Sequence, residues 1–117
     1  MEVNYSIQEG LLSYVIDGVI TADDMRELQI ARDKLASKDS IKVLAIVTSF
    51  KGYKSLEAFK NATFGDIQML PKLSKYAMLT DSFWLSSLVA VLDRLIPKSK
   101  LKAFPLRERE LAEKWLD

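Results

Sequence analysis

One segment constrains the fold more than any other. Between Ile41 and Val47 six of seven residues are apolar, with Lys42 the single exception, and most are β-branched or small. The run does not alternate, so neither of its faces can look at water. Such a strand is covered on both sides, and with helices before and after it in the chain it belongs inside a parallel sheet. The segment from Val43 to Val47 is therefore expected to be central and fully buried.

The remaining elements can be arranged around that strand. Val3-Asn4-Tyr5-Ser6-Ile7 alternates apolar and polar, as a half-buried strand does. Gln8-Glu9-Gly10 supplies a turn, and Leu11 to Ile16 a second strand ending at Asp17-Gly18, so the two form a hairpin. Thr21, with Asp24 three residues on, reads as the capping box of a helix whose inner face carries Met25, Leu28, Ala31 and Leu35. After the central strand, Thr48 to Lys54 reads as a loop. Ser55 is placed as the cap of a second helix bearing Leu56, Phe59, Thr63, Ile67 and Leu70, with Pro71 near its end. Tyr76 to Thr80 is a fourth strand, and Asp81 or Ser82 caps a third helix that runs to Ile96 before Pro97. Leu101 to Phe104, flanked by lysines, suits an exposed edge strand. Pro105 to Leu116 closes the chain as a helix anchored by Leu111, Trp115 and Leu116. The order β-β-α-β-α-β-α-β-α predicts a single α/β domain over residues 1–117, with four helices and a mostly parallel five-stranded sheet joined by right-handed crossovers.

Composition narrows function chiefly by what is missing. The 117 residues include no histidine and no cysteine. That removes disulfides, a Cys nucleophile, a Ser-His-Asp triad and imidazole metal ligands. No phosphate-loop or calcium-loop spacing is present, so no cofactor and no metal are expected. The net charge of +1 and the lack of a nucleic-acid motif argue against nucleic-acid binding. The first forty residues carry eight acidic and four basic side chains, and the rest carry eight and thirteen, which leaves a basic region near Lys98, Lys100 and Lys102. The N-terminus reads as no targeting signal and Phe83 to Ile96 is too short to span a bilayer, so a cytoplasmic protein, at most peripheral at a membrane, is expected.

In open α/β sheets ligands gather beyond the carboxyl ends of the strands. Asp17-Gly18, Thr48-Ser49, Thr80-Asp81 and Phe104-Pro105 fall there. Asp17 and Asp81 are the acidic members, and a turn and a helix cap account for them better than acid–base chemistry does. The third helix is apolar around most of its circumference, more than a sheet alone can satisfy. A binding site is accordingly expected between that helix and the loop after the third strand. Phe50, Tyr53, Trp84 and Leu88 would supply apolar walls, and Thr48, Ser49 and Thr80 hydroxyls. Lys51 and Lys54 would hold an anionic head group at the rim. The occupants considered are an amphipathic small molecule, a membrane surface, a protein partner or a second copy of the chain.

Several of these segments together resemble the SpoIIAA-like family, within the superfamily of sulfate-transporter and anti-sigma-factor-antagonist (STAS) domains. The carriers are Asp17-Gly18 closing the hairpin, the Phe50-Lys51-Gly52-Tyr53 loop, Tyr76 to Trp84 (YAMLTDSFW), Leu95-Ile96-Pro97, the Phe104 strand and Ala112 to Leu116 (AEKWL). The resemblance covers essentially the whole chain. It implies a four- or five-stranded sheet with helices and a non-enzymatic binding role. Anti-sigma-factor antagonists carry a phosphorylatable serine in an Asp-x-Ser motif where this chain has Thr48-Ser49-Phe50-Lys51. The motif is absent, which leaves Ser49 and Ser55 as the hydroxyls to consider for phosphorylation. The fold class is also similar to that of lipid-carrying domains.

Overall fold

The computed structural model describes residues 1–50, 70–95 and 100–117. Five strands lie side by side in chain order: β1 (Glu2–Ser6), β2 (Leu11–Gly18), β3 (Ile41–Phe50), β4 (Leu73–Thr80) and β5 (Lys100–Phe104). β1 and β2 form the expected antiparallel hairpin, while β2–β3, β3–β4 and β4–β5 are parallel, so the sheet is mixed. The helices among the described residues are α1 (Ala22–Leu35), α2 (Phe83–Leu95) and α3 (Arg109–Leu116). That makes three described helices against four expected. The expected helix from Ser55 falls outside the described residues until Leu70, which begins a short 3-10 turn, Leu70–Lys72.

β3 occupies the middle of the sheet, and both its faces are buried. Val43, Ala45 and Val47 enter one core with Leu12, Tyr14, Ile16, Tyr76 and Met78, and α1 and α2 cover it through Leu28, Ala31, Leu35, Leu85 and Val89. Leu44 and Ile46 enter a second core with Ala77, Leu79 and Phe104, covered by Ala112 and Leu116 of α3. Ala45 is fully buried and Val47 is 2% exposed, as the unbroken apolar run requires. The strand also runs three residues further than its apolar stretch. Thr48 to Phe50, expected as loop, continue β3 because β2 continues beside them, pairing Asp17 with Ser49 and Gly18 with Phe50. A register shift after Ile16 skips Thr48, a β-bulge whose hydroxyl donates to the Ile16 carbonyl at 3.3 Å.

Strands in sequential order put successive right-handed crossovers on one face of the sheet. α1 and α2 accordingly share a face, and α3 stands alone among the described helices on the other. Lys75 fastens α3: its ammonium donates to the Trp115 carbonyl at 2.8 Å, where the negative end of the helix favours a cation. The Trp115 ring meets Phe104 edge-on at 6.0 Å. Leu111, expected as an anchor, is 53% exposed. The helix begins only at Arg109, after a 3-10 turn (Leu106–Glu108), and from there Ala112 and Leu116, four apart, face the sheet.

The start of α1 is as its sequence indicates. Asp24 N–H donates to the Thr21 hydroxyl at 3.2 Å, and Thr21 N–H donates to the Asp24 carboxylate at 2.8 Å. The Met1 ammonium lies 3.1 Å from the same carboxylate. Partial burial pushes the Asp24 pKa up, but the Thr21 N–H, the ammonium and the Thr21 hydroxyl outweigh it and hold the carboxyl below its ordinary value. This contribution to stability is present at neutral pH and is lost as pH falls through the lowered pKa. Thr21→Ala is expected to cost about 1 kcal/mol, measured by denaturant unfolding.

Beneath α1 the hydroxyls of Tyr14 and Tyr76 meet at 3.4 Å, both rings fully buried, with Arg32 of α1 also buried. Burial raises the Tyr14 pKa to about 12, against the smaller lowering effects of the Tyr76 hydrogen bond and the Arg32 charge. Burial likewise raises Tyr76, helped by the proximity of Tyr14. A phenol whose folded pKa exceeds its unfolded value of about 10 stabilises the fold fully below that pH and loses its contribution above it. Spectrophotometric titration should therefore show two of the chain's four tyrosines silent near pH 10. Their ionisation should coincide with alkaline unfolding.

Candidate binding site

The carboxyl ends of the parallel strands collect the polar residues expected there, and each of them makes a hydrogen bond within the chain. The Ser49 hydroxyl donates to the Asp17 carboxylate at 2.8 Å, and Thr48 donates to Ile16 as part of the bulge. Gly18, at φ +90°, ends β2 beside this pair in a conformation that favours glycine. Thr80 is 3% exposed, and its hydroxyl accepts from Ser82 N–H at 3.1 Å. Ser82, not Asp81, caps α2, accepting from Leu85 N–H at 3.3 Å. Asp81 serves a different element: its carboxylate accepts from Leu106 N–H at 3.0 Å and so ties the end of β4 to the connection leading into α3.

The two acidic residues stand at the ends of different strands. Asp17 lies on β2 and Asp81 follows β4, so β3 stands between them and their backbones are about 10 Å apart. Among the described residues no three acidic side chains cluster as metal ligands.

The more distinctive surface is on α2. Leu85 and Val89 are buried against the sheet and Leu92 packs partly on it. Beside that buried row runs a second apolar row, Trp84, Leu88, Val91 and Leu95, at the i, i+4, i+7, i+11 spacing that aligns side chains along one helix face. Leu88 is half-buried, while Trp84, Val91 and Leu95 are 49%, 52% and 70% exposed. The row is about 16 Å long at 1.5 Å per residue. Phe83, 87% exposed, begins the helix, and Arg94 near its end is exposed. The start of β5 is tied to α2 by the Asp93 carboxylate accepting from Leu101 N–H at 2.8 Å, while Lys102 of β5 lies on the other face of the sheet, over the Phe104 ring.

Of the residues expected to line a site, Trp84 and Leu88 thus stand on one surface, and Thr48, Ser49 and Thr80 stand at the strand ends. Phe50 belongs to β3 through its pairing with Gly18. Tyr53, Lys51, Lys54 and Ser55 lie outside the described residues. Val91 and Leu95 were missed, although the spacing that selects Trp84 and Leu88 extends to both. Three cavities lined by described residues lie around α3. One, of about 680 Å³, is bordered by Leu11, Ser13, Lys42, Leu44, Arg109 and Leu116. Among the described helices only α3, about 10 Å across, covers that side of a sheet about 19 Å wide, which leaves room beside it.

Replacing Asp81 with alanine should lower stability by about 1 kcal/mol, seen as a reduced Tm, because Leu106 N–H loses its acceptor. Ser49→Ala should cost less than Ser49→Glu, which sets a second carboxylate beside Asp17.

The sequence profile of the SpoIIAA-like family matches residues 11–117. Among solved structures, the chain is similar to a crystal structure of an uncharacterised protein from the DUF3478 family, with a SpoIIAA-like fold, from Shewanella loihica PV-4. The TM-score is 0.68 at 15% identity, covering 99% of this chain and 91% of that one. No curated protein matches the chain.

Proposed function

Since the chain belongs to the SpoIIAA-like family, we propose that it is a non-enzymatic binding module whose α2 surface engages an amphipathic partner, a lipid-like molecule or the membrane surface itself. The observation that carries this reading is the second apolar row on α2. A helix packed on a sheet needs one such row, and here Trp84, Val91 and Leu95 remain exposed beside the buried one. Arg94 places positive charge near the end of that row, where an anionic head group would be favoured. No helix among the described residues is long and apolar enough to cross a membrane, so contact through these elements would be peripheral. A non-catalytic role is supported by the lack of histidine and cysteine and by the hydrogen bonds already engaging Asp17 and Asp81.

Sedimentation with phosphatidylcholine vesicles, with and without phosphatidylglycerol, together with native mass spectrometry of the purified protein, tests the proposal. Retention of lipid is expected to fall roughly tenfold or more in Val91→Ser/Leu95→Ser, from the apolar area no longer buried. Binding to the anionic vesicles should weaken as salt is raised. The same lipid retention in the double variant as in the wild type would overturn the assignment to α2.

A second reading, a protein-interaction module regulated by phosphorylation in the manner of anti-sigma-factor antagonists, is favoured by one observation. The Ser49 hydroxyl is half-exposed and hydrogen-bonded to Asp17 at the end of β3. A phosphate there would break that bond and repel the carboxylate, altering the rim where β2 and β3 end.

A further inference from the structure

We propose that β1 is a self-association edge, through which two copies of the chain pair antiparallel about a two-fold axis at Asn4 and join their sheets into one of ten strands. This surface is at the opposite end of the sheet from β5 and is independent of the function proposed for α2.

The two edges of the sheet differ in how they are protected. An edge strand presents unpaired backbone N–H and C=O groups, and lysines or prolines commonly keep other chains away from them. β5 has Lys100 and Lys102, both exposed. β1, Glu-Val-Asn-Tyr-Ser, has neither lysine nor proline and, among the described residues, pairs only with β2. Beside its one charge, Glu2, it leaves Tyr5 44% exposed, and Ile7 just beyond it is 46% exposed.

The pairing follows from parity. Residues opposed across an antiparallel pair point to the same face of the sheet, and side chains alternate between faces along a strand. A two-fold axis normal to the sheet must therefore pass between two copies of the same residue, because opposing neighbours in the sequence would put a side chain on the wrong face. Of the registers this permits, only the one centred on Asn4 pairs all five residues of β1. It sets Val3 against Tyr5 twice, an aromatic–β-branched combination that stabilises cross-strand pairs. Glu2 falls opposite Ser6 rather than opposite its own copy, so no like charges are opposed. Five residues of strand are only about 17 Å long. The contact is thus well below the area of a standard stable interface, and it predicts a concentration-dependent dimer, not an obligate one.

Sedimentation equilibrium of the purified protein from micromolar to millimolar concentration tests the proposal. Asn4 is exposed, so Asn4→Lys and Asn4→Asp should keep the wild-type circular dichroism and Tm. Each variant alone opposes like charges at the axis and should self-associate about 5-fold or more weakly than the wild type. An equimolar mixture of the two opposes lysine to aspartate and should recover association as a mixed dimer. A wild-type chain that stays monomeric throughout would overturn the proposal, including the case in which β1 accepts only an extended peptide from another protein. Dimerisation that both variants retain undiminished would place the interface elsewhere, and this too would overturn it.

Discussion

Everything else in this structure is arranged around the burial of β3 on both faces. A strand with apolar residues at successive positions can hide them only if it has neighbours on both sides and a layer above and below. β2 and β4 supply the first, and the two cores the second. Parallel pairing on both edges of β3 then demands a crossover before it and another after it. The hairpin, by contrast, needs only the short turn at Gly10, whose φ of +64° and close approach to the Ser40 carbonyl leave no room for a Cβ.

The order of the strands carries the consequence outward. Because each strand is added beside the last, α1 and α2 fall on the same face, and among the described helices α3 alone covers the opposite one. The small helix compensates with anchors of several kinds: Lys75 at its carboxyl end, Trp115 against Phe104, and Asp81 holding the segment that leads into it. The groove beside α3 and the second apolar row on α2 have a common origin. In both places a flat sheet meets a cylindrical helix, and the two shapes cannot satisfy all of each other's surface.

The strand ends show why a residue type alone does not identify a site. Thr48, Ser49, Thr80, Asp17 and Asp81 all stand where an α/β sheet usually binds its ligand, yet each has a role in holding the chain's own termini of strands and helices together. Hydroxyls and carboxylates are short, versatile hydrogen-bonding groups, and a sequence does not reveal whether their partner is a backbone amide or a ligand. The apolar row of α2 was more legible, because helical spacing is a property of the chain itself. Two of its four members, Trp84 and Leu88, were recognised, and the other two, Val91 and Leu95, lie on the same period.

Local order and the central strand were determined by the sequence by itself. The run from Ile41 to Val47, the Thr21–Asp24 capping box, the Gly10 turn and the lysine-flanked β5 each carry their physical cause within a few residues. Resemblance in several such segments was also enough to indicate the family. Tertiary structure alone decided the features that depend on who meets whom. It prolonged β3 to Phe50 because β2 runs beside it, and it turned Leu111 outward because Ala112 and Leu116 are the residues of α3 that meet the sheet. It also opposed the buried phenols of Tyr14 and Tyr76, 62 residues apart in the chain. Periodicity and capping act over one or two turns of chain, whereas pairing partners and the facing of a helix are set by contacts between segments distant in sequence, where several arrangements satisfy the same local pattern.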